Sequence, residues 1–132
     1  IEDAINATKS AIQDGIIEGG GVALIRCYKE FNTEIHSQYP EVIAGMEIVK
    51  KSLLAPLRTI VNNGGGNGDA IIGKVLDSNL GYNALTEQFG NLFEMGVIDP
   101  VKVVKNEIIN ACATAGILLT SGAAITIKED KK

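Results

Sequence analysis

Apolar residues recur along this chain mostly at helical spacing. Ile1, Ile5, Ile12 and Ile16, with Thr8 between them, fall on one face of a predicted first helix. Asp3, Ala7, Ser10 and Asp14 fall on the opposite face. Glycine breaks the pattern between Gly15 and Gly21, so the helix should stop there. A second helix is predicted after Gly19-Gly20-Gly21, with Leu24, Tyr28, Phe31 and Ile35 as its stripe. Pro40 opens a third, lined on one side by Val42, Met46, Val49, Leu53, Leu57 and Ile60. Pro56 lies inside that stripe, which predicts a kink or a break, because proline removes a helical donor and crowds the preceding turn.

Gly64-Gly65-Gly66-Asn67-Gly68 reads as a loop, followed by a short helix from about Asp69 to Asp77 that carries Ile71, Ile72, Val75 and Leu76. The stretch from Asn79 to Asn91 is the least helical. Within it, Tyr82-Asn83-Ala84 and Glu87-Gln88-Phe89 read as two very short strands of a hairpin. Asp99-Pro100 is the clearest helix start, since Asp can accept from free backbone N–H groups and Pro suits the first helical position. That helix should run through Val101, Val104, Ile108, Cys112, Ala115 and Leu119 and end near Gly122. Ala124-Ile125-Thr126-Ile127-Lys128 alternates as a strand does. With no partner nearby, it is expected to pair outside this segment. The charged residues from Lys128 to Lys132 are expected to fray. The predicted fold is all-α and multihelical, with a short β-hairpin and a C-terminal strand.

Composition narrows the function. The 132 residues suggest one domain, long enough to bury a core. Hydrophobic residues at 45% and charged residues at 21% are ordinary for a soluble globular protein. No apolar run approaches the roughly 18 residues needed to span a bilayer. A net charge of -4 leaves no basic surplus to neutralise phosphates, which argues against nucleic acid as a partner. Cys27 and Cys112 lie far apart and His36 is the only histidine, so a zinc site would be hard to assemble and no metal ligands are expected. Both cysteines sit within apolar helical patterns and are expected to be small buried residues, as in a reducing compartment. The chain opens on Ile1, inside a helical pattern and without signal-peptide features, so it is expected to be a segment of a longer chain.

Candidate chemistry is sparse. Gly19-Gly20-Gly21 opens a helix, where glycines admit a ligand to the backbone and the helix start offers N–H donors. Neither a Walker loop nor a Rossmann fingerprint is present, and a plain turn between packed helices remains open. Asp3 is a carboxylate on a polar helix face, equally readable as a solvated first-turn acid. Asp99 is equally readable as a cap. Residue patterns alone therefore reach a mostly helical domain with a glycine-lined helix start.

Several segments taken together carry more. They are Glu2-Asp3-Ala4 with Ala7-Thr8, Gly15-Ile16-Ile17-Glu18-Gly19-Gly20-Gly21-Val22-Ala23-Leu24-Ile25-Arg26, Ala55-Pro56-Leu57-Arg58-Thr59-Ile60, Gly81-Tyr82-Asn83-Ala84 and Met95-Gly96-Val97-Ile98-Asp99-Pro100. In this order and approximate spacing the chain resembles group I chaperonins of the GroEL type, over essentially all of its length. The Tyr-Asn-Ala and Met-Gly-Val-Ile-Asp-Pro segments favour group I over group II.

The resemblance implies that residues 1–13 end an intermediate domain, as its return helix. Residues 14–132 would be the C-terminal half of an equatorial ATP-binding domain. It implies a catalytic role for Asp3, orienting the water that attacks the γ-phosphate. Gly19 and Gly20 would lie against the nucleotide, Tyr82, Asn83 and Ala84 on the adenine side, Val97 as an apolar neighbour and Asp99 near the ribose hydroxyls. The cofactors implied are ATP and Mg2+, with the metal's ligands and the phosphate-binding segment expected in an N-terminal half outside this sequence.

The function implied is an ATP-dependent chaperone assisting protein folding in a ring-shaped oligomer. The full-length protein would be an ATPase and this segment alone inactive. The partners implied are identical subunits in a heptameric or double-heptameric ring, a co-chaperonin and unfolded client proteins, in the bacterial cytoplasm or an organelle matrix or stroma. The alternative is a free-standing helical interaction module without nucleotide activity. Three departures stand out: Leu85 in place of the usual alanine, a short loop before Gly81, and a tail without Gly-Gly-Met repeats. Apolar surface left exposed is expected to drive self-association.

Overall fold

A computed structural model describes residues 2–31, 39–123 and 125, with the side chain of Asp3 outside that description. The element order is α1 (Glu2–Asp14), β1 (Ile16–Glu18), α2 (Val22–Glu30), α3 (Pro40–Ser52), α4 (Ala55–Asn63), α5 (Gly68–Asp77), β2 (Gly81–Asn83), β3 (Gln88–Gly90), β4 (Ile98–Pro100) and α6 (Val101–Thr120). The fold is mostly helical, with two small antiparallel sheets, β1 with β4 and β2 with β3.

The core gathers α2, α4, α5, the β2–β3 hairpin and the turn after it. Val22 and Ile25 from α2 meet Leu57 and Val61 from α4, Ile72 and Val75 from α5, Tyr82 from β2, and Leu92. Ile25, Leu57 and Leu92 are fully buried, and each such side chain contributes roughly 1.5–3 kcal/mol. Around this core lie helices with little cover. Neither α3 nor α6 has a buried residue. Between them runs an apolar groove whose wall includes Phe31, Met46, Val49, Ala115 and Leu119.

Pro56 acts as its position predicts. The long apolar stripe divides at Leu53-Leu54 into α3 and α4, with Pro56 in the first turn of α4. The break resets the helical phase, so Leu57 and Val61 face the core while Ile60 turns outward. Asn67 caps α5 by accepting from the Ala70 N–H at 3.1 Å. An exposed Arg58–Asp69 pair at 2.8 Å adds about 0–1 kcal/mol between α4 and α5.

The glycine turn sets how closely α2 and α4 approach. Gly21 is the N-cap of α2 at φ +81°, and a Cβ there would lie 2.8 Å from the Leu57 backbone nitrogen. Only glycine allows both the left-handed backbone and that contact.

Several expectations need correction. The β1–β4 pair was not anticipated, because three-residue strands are too short to display an alternation. Asp99 is not a helix cap: it pairs with Ile17 in the ladder, while the N-cap of α6 is Pro100, with no side-chain cap. The hairpin is offset by one residue, with strands at 81–83 and 88–90, because Ala84 and Glu87 belong to the turn and Glu87 takes φ +56°. Helix α1 packs on β4 and α6 with Ala7, Ser10 and Ala11 half-buried, while Ile5 and Ile12 face outward, Ile12 at 80% exposure. The small residues allow close packing that isoleucine would prevent.

Cys27 and Cys112 are exposed, Cys112 in the wall of the α3–α6 groove. Ile35, His36 and the predicted strand at 124–128, Ile125 apart, lie outside the described residues. Ile125 itself is fully exposed.

Two outcomes follow for the 132-residue chain. Gly21→Ala should lose roughly 2–4 kcal/mol of stability, combining backbone strain with a backbone clash. Gly45→Ala should gain about 0.5–1 kcal/mol, since Gly45 is inside α3 with nothing within 4 Å of a Cβ. Urea unfolding midpoints check both. Cys27 and Cys112 should both react with a thiol reagent in the native state, at rates within about 10-fold of the urea-unfolded chain.

Candidate functional site

The strongest convergence of candidate residues lies at the turn between β1 and α2. Strand β1 delivers the chain into Gly19-Gly20-Gly21, and β4 runs antiparallel beside it, with Glu18 opposite Ile98. The Gly19 N–H donates to the Val97 carbonyl at 2.9 Å. A Cβ on Gly19 would lie 3.0 Å from the Ile98 nitrogen and 3.1 Å from the Val97 carbonyl carbon. Gly19 therefore has no room for a side chain, and the turn rests directly on β4. A Cβ on Gly20 would sit 3.8 Å from Val97 Cγ1. Gly19, Gly20, Val97 and Asp99 are thus brought together across the β1–β4 pair.

A cavity of about 280 Å3 opens on this turn, and its wall includes Glu18, Gly20, Gly21, Leu24, Asp99 and Glu107. First-turn amides of a helix have no intrahelical acceptor; the Val22 N–H donates to the Gly19 carbonyl at 3.1 Å, which leaves those of Ala23 and Leu24 as the donors of the start of α2. The carboxylates act in the opposite sense. Glu18 is paired with Arg26 at 3.0 Å, while Asp99 and Glu107 add negative charge to the wall. Carboxylates accept from hydroxyl groups and repel phosphates, so this wall suits a polyol such as a sugar better than a bare anion.

The hairpin residues stand differently. Tyr82 is buried and packs on Phe89, with ring centroids 4.9 Å apart. Ala84 and Val97 pack on the same core cluster as Tyr82 and Val22. The Asn83 side-chain oxygen accepts from the Leu85 and Thr86 N–H groups at 3.0 and 3.4 Å, so it is spent on its own turn. Asn83 is not part of the cavity wall, and Leu85 at the tip is 93% exposed. Asp3 lies near the start of α1, while the glycine turn follows its end. At 1.5 Å per residue, that puts Asp3 about 16 Å along the axis from Asp14. Among the described residues no group of three His, Cys, Asp or Glu could hold a metal.

Sequence reasoning missed Glu18, Glu107 and Arg26 as neighbours of the turn. Glu107 is two helical turns into α6, and nothing in its spacing marks it. Glu18 and Arg26 were visible as a charged pair flanking the glycines.

The sequence profile of the TCP-1/cpn60 chaperonin family matches residues 1–129. The chain belongs to that family. It is 43% identical over 136 aligned positions to Chaperonin GroEL of Mycoplasmoides gallisepticum, an alignment covering 99% of this chain and 25% of that protein. The chain thus spans about a quarter of the length of that chaperonin. No helix among the described residues is long and apolar enough to cross a membrane.

In this chaperonin chain the contact of Gly19 with β4 is the most exacting part of the site. Gly19→Ala should cost about 1–3 kcal/mol by forcing β1 off β4. Amide exchange at Glu18 and Ile98 should accelerate in that variant, while exchange within α5 stays as in the wild type.

Proposed function

We propose that this chain is the part of an ATP-driven chaperonin subunit that forms the nucleoside side of its nucleotide pocket. The observation that carries this reading is the cavity at the glycine turn, where the start of α2 and the Asp99 carboxylate share one wall. GroEL-type chaperonins are ATPases as a class and bind ATP with Mg2+. On this reading Gly19 and Gly20 let the nucleotide lie against backbone, and Asp99 accepts from ribose hydroxyls. Tyr82, Asn83, Ala84 and Val97 shape the adenine side, Asn83 through its amide N–H2 rather than its committed oxygen.

Asp3 orients the attacking water, which requires α1 to swing so that its start approaches the pocket. Phosphoryl transfer depends mainly on positioning and charge neutralisation, and Mg2+ supplies the latter when bound. On this reading the ligands of the metal belong to the N-terminal half of the subunit.

The same reading assigns residues 1–13 to the end of an intermediate domain and 14–132 to the C-terminal half of an equatorial domain. The remaining three quarters of the subunit would cover the α3–α6 groove, whose exposed Ile48 and Leu119 support the idea. The subunit would assemble with identical copies in a heptameric or double-heptameric ring. With a co-chaperonin it would fold client proteins in the bacterial cytoplasm or an organelle matrix or stroma. No observation favours a free-standing module.

The test uses a complete subunit containing this segment. Asp3→Ala should bind ATP normally and hydrolyse it roughly 100-fold more slowly. Asp99→Ala should weaken ATP binding roughly 10-fold through lost charged hydrogen bonds. The 132-residue chain alone should hydrolyse no ATP above background. Wild-type turnover in the Asp3 variant would refute the role given to that residue.

A further inference from the structure

Arg26 lies one turn into α2, beyond the glycines. A guanidinium has five N–H donors in a rigid planar fork, and here all are engaged. Nε donates to Glu18 Oε2 at 3.0 Å and Nη2 to Glu18 Oε1 at 3.3 Å. Nη1 donates to the carbonyl oxygens of Val75 at 3.1 Å and Ser78 at 3.0 Å. Nη2 also donates to the Leu80 carbonyl at 3.1 Å. The side chains of Arg26 and Glu18 are 27% and 18% exposed, so the pair is largely shielded from salt.

The partners adjoin two segments that the nucleotide reading assigns to the pocket, the glycine turn and the hairpin. Glu18 immediately precedes Gly19, the first residue of the glycine turn. Leu80 immediately precedes Gly81, where the strand carrying Tyr82 and Asn83 begins. Val75 and Ser78 close the end of α5, whose negative dipole end a cation favours. One inflexible group therefore ties the strand feeding the turn, the helix leaving it and the strand feeding the hairpin. Arg26 is not in the wall of the cavity. Any effect on a ligand passes through the elements it joins.

We propose that Arg26 is a positioning residue for nucleotide binding. It holds the glycine turn and the Tyr82–Asn83 hairpin at one separation and so sets affinity for the adenine nucleotide, not the rate of the chemical step. This rests on the nucleotide reading above. Lysine cannot reproduce the arrangement, because an ammonium has three donors and no planar fork to span Glu18 and three carbonyls.

The experiment measures ATP dissociation constants and steady-state hydrolysis for a complete subunit containing this segment, as wild type, Arg26→Gln and Arg26→Lys. Arg26→Gln should raise Kd and KM for ATP roughly 10-fold with kcat within about 2-fold, the pattern of lost uniform binding. Arg26→Lys should fall between it and the wild type, at roughly 3-fold. A merely structural clasp would lower Tm and ring yield, yet the surviving rings would bind ATP as the wild type does. If Arg26→Gln does not assemble, Arg26→Lys decides alone, and an unchanged KM there overturns the proposal. A fall in kcat at constant KM overturns it too. If the wild type binds no ATP, the nucleotide reading itself is what fails. If the wild type binds and Asp99→Ala weakens binding while both Arg26 variants match the wild type, only the proposal for Arg26 fails.

Discussion

The contact between the Gly21 and Leu57 backbones is the constraint on which the rest of the arrangement depends. With no side chain between them, the start of α2 sits directly on the first turn of α4. That seat carries Val22 and Ile25 into the core beside Leu57 and Val61. It also fixes where β1 must end, and hence where β4 can pair with it. The cavity is what remains between the turn, α4 and the start of α6. Structure and candidate chemistry therefore share one cause, and the glycines cannot be read as serving only one of them.

Two opposed fields meet at that cavity. Helix-start amides favour an anion, while Glu18, Asp99 and Glu107 disfavour one. Arg26 removes much of the Glu18 contribution by pairing with it. A ligand with hydroxyl groups at one end and phosphates at the other resolves the conflict, provided the phosphates project away from the carboxylates. The nucleotide proposed for this site has that pattern of groups.

The helices were legible because each is long enough to show its period, although α2 stops at Glu30, short of Phe31 in its expected stripe. Pro56 announced its own break, and the glycine run announced the turn. The β1–β4 pair was not legible. Ile16-Ile17-Glu18 is too short for a pattern, and Asp99-Pro100 imitates a helix start so well that it hid a strand. Helix α1 misled in another way: its isoleucine stripe is real, but α6 packs against the alanine and serine face instead. Burial of the cysteines was inferred from apolar neighbours, yet both are exposed, and the neighbours of Cys112 line a groove that no described residue fills. Of the candidate site, the glycine turn was legible from residues alone. Bringing Val97 and Asp99 to it required either the ladder or the family resemblance, because no local pattern links positions so far apart.

That distance has a consequence in time. Strand β1 stands near the beginning of the segment and β4 near its end, with six other elements emerging between them. Closing so long a loop costs entropy that local helices do not, so the ladder should form late. During synthesis α2, α4 and α5 can dock as soon as they leave the ribosome, but Asp99 must wait until α6 begins to emerge. The glycine turn would thus exist for much of its early life without its opposite wall, and any ligand of the cavity would have to wait for β4.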